Sequence, residues 1–232
     1  MSKSKNIAVL ISGNGSNLQA IIDKIETGEI NAKIVTVISN KKDAKGLDRA
    51  KKANIPSHIV EHTQYDTRED FDIALSKIID GYSVDIIVLA GFMRILTANF
   101  VTHYLGKLIN IHPSLLPLYR GLHTHKRALE DKAIKHGASV HFVTPELDAG
   151  AVLIQGIVSV KENDTENSLA DRVHIIEHLI YPAAVKFLTD NTVTFSDNTI
   201  FVNGKQLNQA KRYRLGESNN LEPLKTLSEI TT

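Results

Sequence analysis

Three short apolar, β-branched runs alternate with stretches of helical spacing in the first ninety residues. The runs are Ile7–Ile11 (IAVLI), Ile34–Ser39 and Val84–Ala90 (VDIIVLA). A run that is apolar at successive positions, rather than at every second one, suits a strand buried on both faces. Between the runs, Leu18–Ile25, Lys45–Ala53 and Arg68–Asp80 carry the spacing of amphipathic helices. Ser16 or Asn17 is placed to cap the first helix, Asn54 and Pro56 end the second, and Gly81 follows the third. Ser57–Val60 is a further short strand. This alternation implies parallel pairing with right-handed crossovers. The fold class is therefore α/β, a mostly parallel twisted sheet flanked by helices on both faces.

The second half continues the pattern less regularly. It predicts a helix near Ala98–Tyr104, a strand at Leu108–Ile111 and a long loop from Pro113 to about Thr124. Loops of that length inside a domain are usually functional or mobile. A helix at Lys126–Lys135, strands at Ser139–Val143 and Val152–Val160, and a long helix from Ser168 to Leu188, interrupted or kinked near Pro182, come next. Val193–Phe195 and Ile200–Val202, joined by Ser196–Thr199, read as a C-terminal β-hairpin. The expected organisation is one domain over 1–215, in two halves of about 5–105 and 106–215, with a weakly ordered polar tail over 216–232.

Composition excludes several classes. The 232 residues include no cysteine, which removes disulfides, thiolate zinc sites and a cysteine nucleophile. A formal net charge of +1 gives no global pull toward nucleic acid or an anionic membrane. No apolar run is long enough for a membrane span or for a signal-peptide core with its cleavage site, so the expected location is cytoplasmic.

Three segments carry candidate chemistry. In Ile109–Pro117 (INIHPSLLP), Asn110 and His112 are two residues apart and so share a face of the strand. Pro113 ends regular pairing, which places the pair at a strand's carboxyl end, where open α/β sheets bind ligands. An amide donor beside a group that can carry a proton suits a developing oxyanion. A strand-end amide and a pre-proline turn histidine are the plainer readings. Ser12–Asn17 (SGNGSN) joins the first strand to the first helix and offers free amide N–H groups at a helix start. Position 18 is Leu where a dinucleotide fingerprint needs Gly, and no Walker lysine follows. A terminal phosphate monoester fits; an ordinary tight turn fits as well. Asp148, in Glu146–Gly150, is placed to orient His112 or merely to cap its own turn.

Two further groups are less specific. Gly91–Leu96 follows a strand and presents Phe92, Met93, Ile95 and Leu96 either to a flat ring or to the core, with Arg94 in a surface pair in the second reading. His123, His125, His136 and His141 invite a metal reading. With no cysteine and no His-Glu-x-x-His, they read better as surface or supporting histidines.

Taken together, IAVLISGNGSNLQAII, VLAGFMRIL, INIHPSLLP, GLHTH, SVHFVTPELDAG and the stretch from Glu177-His178 to Tyr181-Pro182 resemble the folate-dependent formyltransferases. SGNGSNLQAI points to the glycinamide ribonucleotide family among them. The likeness runs from about Asn6 to about Tyr213. It implies a Rossmann-like formyltransferase fold, with a phosphate-binding half followed by a folate and catalytic half. It implies attack of the glycinamide ribonucleotide amine on the formyl carbon of 10-formyltetrahydrofolate, a co-substrate, with no metal. By the match, Asn110 and His112 hold the oxyanion and Asp148 orients or charges His112. Gly15, Ser16 and Asn17 hold the phosphate, and Glu177 the ribose hydroxyls. Arg94, Ile95, Leu96, Val101 and Asn110 fall in the folate pocket, with Arg68 near the glutamate tail. The loop from Pro113 to His125 would cover the site. His174, Arg120 and Leu118 stand where a bacterial member carries Gln, Pro and Lys. The implied partners are these two small molecules, with no nucleic acid or membrane. Monomer and homodimer are both open, as is another formyltetrahydrofolate-using transferase or hydrolase. A methionyl-tRNA formyltransferase would be expected to continue into an RNA-binding barrel. An oxidoreductase would need the third glycine, and a nucleotide sensor has no use for Asn110, His112 and Asp148.

Overall fold

The sheet reverses its strand order beside its first strand, and that reversal places the site. In the computed structural model, which describes residues 4–224, the chain begins with β1 (Lys5–Ile11), α1 (Ser16–Glu26), β2 (Ala32–Ser39), α2 (Gly46–Lys52) and β3 (Ser57–Ile59). It continues through α3 (Arg68–Asp80), β4 (Ile86–Leu89), α4 (Ala98–His103) and β5 (Leu108–His112). Then come α5 (Thr124–Glu130), β6 (Lys135–Phe142), β7 (Val152–Ser159) and α6 (Glu166–Asp190). The last strands are β8 (Val193–Ser196), β9 (Thr199–Val202), β10 (Lys205–Gln206), β11 (Lys211–Leu215) and β12 (Leu221–Pro223). One sheet has the order β12-β11-β7-β6-β5-β4-β1-β2-β3, and β10-β9-β8 form a small antiparallel sheet.

From β3 to β5 the large sheet is parallel throughout. β6 runs antiparallel to both its neighbours, and β11 again pairs in parallel with β7. The expected mostly parallel sheet and the C-terminal hairpin are both present. The two faces of β1 show why helices cover both sides. Ile7, Val9 and Ile11 enter the core beneath α1 and α6, whereas Ala8 and Leu10 enter the core beneath α3 and α4. β1 leaves toward β2 on one side while β4 pairs on the other. The carboxyl ends of β1 and β4 therefore open a crevice between their departing loops.

Four expectations need correction. The helix expected over Lys126–Lys135 runs from Thr124 to Glu130. Lys132 then takes a left-handed φ of 52° and breaks it, and Lys135 already belongs to β6. The start of β6 was hidden because buried His136, Ser139 and His141 interrupt its apolar pattern. The cap of α1 is Gly15 and not Ser16 or Asn17, and no side chain caps that end among the described residues. The long helix starts two residues early, at Glu166. There Thr165 and Ser168 each accept the other's backbone N–H, and the helix runs uninterrupted through Pro182. Finally, part of the expected loose tail is ordered. Leu221–Pro223 pairs with β11, Arg214 Nε donates to Glu222 at 2.6 Å, and Leu215 and Leu221 pack on the core. Residues 225–232 lie outside the described part.

α6 is pinned to the sheet at one point by hydrogen bonds. The fully buried Tyr181 hydroxyl reaches the Leu89 carbonyl at 2.9 Å and the Ile109 carbonyl at 3.2 Å, at the ends of β4 and within β5. Gly156 lets α6 lie against β7. A Cβ there would collide with Ile176 Cγ1 and sit 2.9 Å from Ile180 Cγ2. Gly156→Val is expected to lower unfolding stability by about 2 kcal/mol or more through overpacking, read as the urea midpoint. An unchanged midpoint would contradict this packing.

Candidate active site

Loops from the ends of β1, β2 and β4 are tied together at Ser12. Its hydroxyl donates to Asn40 Oδ1 at 2.6 Å and accepts the Met93 N–H at 2.8 Å. The next residues curl beneath α1. Gly13 accepts the Gly46 N–H at 3.0 Å, and Gly15 takes φ 70°. A Cβ on Gly15 would lie 2.7 Å from Gly46 Cα, so close backbone approach as well as the positive φ requires glycine. The α1 amides at Ser16 and Asn17 begin the helix behind a cap with no side-chain acceptor, an arrangement that suits an anion.

Asn17 does not direct its amide nitrogen at that opening. Its Nδ2 donates to Glu177 Oε2 at 3.2 Å, while its buried Oδ1 has no partner among the described residues. Glu177 lies on α6, so the fold joins two candidate residues 160 positions apart. Burial pushes the Glu177 carboxyl above the usual range. His174, 3.9 Å away, and the Asn17 amide oppose that shift.

The β5 pair meets its partners across the antiparallel ladder and from the β6–β7 turn. Asn110 faces His141, and His112 faces Ser139. His141 Nδ1–H donates to the Phe142 carbonyl at 2.8 Å. Its Nε2 is then an acceptor and takes the Asn110 Nδ2–H at 3.2 Å. That contact sets which way the Asn110 amide points. Asp148, at φ 49°, reaches the same pocket, with Oδ2 3.4 Å from His112 Nδ1 and Oδ1 3.7 Å from His141 Nε2. A carboxylate only accepts, so the His112 contact is favourable with the hydrogen on Nδ1. His112 Nε2–H donates to the Tyr119 carbonyl at 2.9 Å. Both ring nitrogens thus face acceptors, the Asp148 carboxylate on one side and the Tyr119 carbonyl on the other.

The loop after β5 covers this cluster. Gly121 N–H donates to Asp148 Oδ2 at 2.9 Å, and Ser139 Oγ joins the Ser114 carbonyl to the Leu116 N–H. Gln155 Nε2 donates to the Leu116 carbonyl at 2.9 Å. His112 is only 6% exposed as a result.

The remaining candidates divide. Arg94 lies 5.9 Å over the Phe71 ring of α3, with its Nε buried and unpartnered among the described residues. Arg68 is exposed at the start of the same helix. Ile95 is 61% exposed at the crevice mouth. Leu96 packs against the α3–α4 core, and Val101 is buried within it. Val101 thus reads as a wall of that core.

A family profile described as formyl transferase matches residues 5–185. The chain belongs to the formyl transferase family. It is 50% identical over 202 residues to the phosphoribosylglycinamide formyltransferase of Escherichia coli K12, covering 87% of this chain and 95% of that one. It is 45% identical to a human trifunctional purine biosynthetic protein, adenosine-3, covering 84% of this chain and 19% of that longer protein. Among solved structures, a phosphoribosylglycinamide formyltransferase from Coxiella burnetii superposes with a TM-score of 0.84 at 50% identity, over 88% of this chain and 96% of that one. A glycinamide ribonucleotide transformylase from Symbiobacterium toebii gives 0.83 at 37% identity, over 87% and 95%.

Two histidines of this formyl transferase gain roles that spacing did not reveal. His141, read from sequence as a surface or supporting histidine, is 2% exposed and touches Asn110, which fits the supporting alternative. His136 is fully buried on β6, and its Nε2 meets His125 Nδ1 at 3.1 Å. The antiparallel register of β5 and β6 sets His141 against Asn110. Burial lowers both rings to about 4. Both rings are expected to stay neutral at pH 5 in imidazole nitrogen NMR spectra, and titration near 6.5 would contradict their burial. The sign for stability follows. Between about 6.5 and 4 the unfolded chain takes up protons that the folded rings refuse, so these two residues make stability fall as pH falls through that window.

Proposed function

We propose that the chain transfers the formyl group of 10-formyltetrahydrofolate to the amine of glycinamide ribonucleotide, in purine biosynthesis. Formylglycinamide ribonucleotide and tetrahydrofolate are the products. The observation that carries the reading is the contact between His112 and Asp148 beside an Asn110 amide fixed by His141, all at the β5 end of the crevice. The amine lone pair attacks the formyl carbon, and the carbonyl π electrons move onto its oxygen. The Asn110 N–H and the His112 Nε2–H stabilise that oxyanion. For this, the Tyr119 carbonyl must give up the His112 hydrogen to the formyl oxygen. Collapse of the intermediate breaks the bond to the folate nitrogen, which takes a proton as it leaves. Asp148 keeps the His112 ring oriented and assists movement of the amine proton.

In this reading Gly15, Ser16 and the Asn17 backbone hold the phosphate, and Glu177 holds the ribose hydroxyls. Arg94, Ile95 and Leu96 line the folate side with Val101 behind them, and Arg68 faces the glutamate tail. The half before about residue 105 carries the phosphate loop and these folate-side residues, and the half after it carries Asn110, His112, Asp148 and Glu177. The covering loop excludes water, which would otherwise compete with the amine.

A spectrophotometric assay of folate product tests the reading. Product that requires the ribonucleotide supports it, whereas product formed without the ribonucleotide means a hydrolase. His112→Ala is expected to lower kcat by about 10²-fold or more with little change in ribonucleotide affinity. Near-wild-type kcat would overturn the assignment. Asn17→Ala is expected to weaken ribonucleotide binding more than folate binding, by calorimetry, because it also frees Glu177. Equal losses would count against that placement.

A further inference from the structure

Arg49 on α2 makes three hydrogen bonds to the glycine loop and to α1. Its Nε donates to the Asn14 carbonyl at 2.8 Å, one terminal nitrogen donates to Asn14 Oδ1 at 3.2 Å, and the other to Gln19 Oε1 at 3.3 Å. Every one of these acceptors is uncharged. Among the described residues Arg49 forms no ion pair with a carboxylate. Arg172 on α6, by contrast, pairs with Asp164 at 2.6 Å. An arginine that holds a loop by neutral acceptors keeps a charge that no carboxylate in direct contact neutralises. Its backbone setting is equally tight, since Gly46, three residues earlier, meets Gly13 and Gly15. The positive charge also holds the His178 ring below its usual range, after burial and alongside His174.

We propose that Arg49 is a positioning residue for the ribonucleotide substrate. It forks onto both oxygens of Asn14, holds the 13–17 loop in its anion-accepting shape, and leaves its charge available to balance the substrate's phosphate. The proposal rests on the phosphate reading of that loop. Charge and fork act together here, which separates Arg49 from a purely structural clamp. A clamp alone would be indifferent to the charge of the ligand.

Steady-state kinetics of Arg49→Ala, Arg49→Lys and Asn14→Ala test it, with inorganic phosphate as the probe of the loop. In the parent enzyme phosphate is expected to compete with the ribonucleotide and not with the folate. If it does not compete, the phosphate reading itself fails. Where it does compete, Arg49→Ala is expected to raise the ribonucleotide KM and the phosphate inhibition constant about tenfold. The folate KM and kcat stay within about twofold. Arg49→Lys keeps the charge but loses the planar fork, and is expected to recover only part of the loss. Asn14→Ala, which removes one exposed acceptor, is expected to shift the same constants in the same direction by a smaller factor. Unchanged phosphate inhibition in Arg49→Ala, or equal shifts for both substrates, would overturn the role. If Arg49→Ala does not fold, an unchanged phosphate constant in Asn14→Ala and Arg49→Lys does the same.

Discussion

The parallel pairing of β1 with β2 on one side and β4 on the other is the constraint from which the site follows. β1 is apolar on both faces, and both faces are covered, so it sits at the centre of the sheet and cannot serve as an edge. Its outgoing loop must then leave at the same end as those of β4 and β5. Three segments with no sequence proximity therefore meet at one crevice. The Ser12 hydroxyl, bonded to both Asn40 and Met93, records how closely the departing loops approach.

A second constraint is the burial of polar groups beside that crevice. Asn110, His141, Asp148 and His112 form a chain of contacts in which the two histidines and the aspartate are almost wholly enclosed. In a low-dielectric setting an unpaired polar atom is costly, so each partner limits the orientations of the next. His141 has one nitrogen on the Phe142 carbonyl, which leaves the other to accept from Asn110. Asp148 turns through a left-handed backbone to reach both rings. The Asn110 amide is thereby oriented by His141, while the His112 Nε2–H is held on the Tyr119 carbonyl.

The departures between pattern and fold share one cause. A period of two or three and a half is visible only where one side of an element faces water or where apolar residues fill it completely. β6 does neither, because it is sandwiched between β5 and β7 while carrying His136, Ser139 and His141. Its beginning therefore passed for the end of a helix. Pro182 removes a backbone donor from α6, yet Tyr181 anchors the adjacent turn to two strand carbonyls and the helix continues. β11 alternates charge with apolar residues and gains its place only by pairing with β7.

The amino-acid sequence by itself determined the α/β class, the positions of β1, β2 and β4, the C-terminal hairpin, and the segments at which chemistry gathers. These depend on local properties: β-branched runs, helical spacing, glycine in a tight turn, and a proline after His112. Tertiary structure alone decided which of those segments touch. Asn17 met Glu177, and Asn110 met His141, through separations of 160 and 31 residues. Arg49 carries no local signal, for it is one basic residue on a short polar helix. Its role appears only when α2 packs on the glycine loop. Long-range contacts of this kind depend on sheet order and strand register, which arise from burial summed over the whole chain.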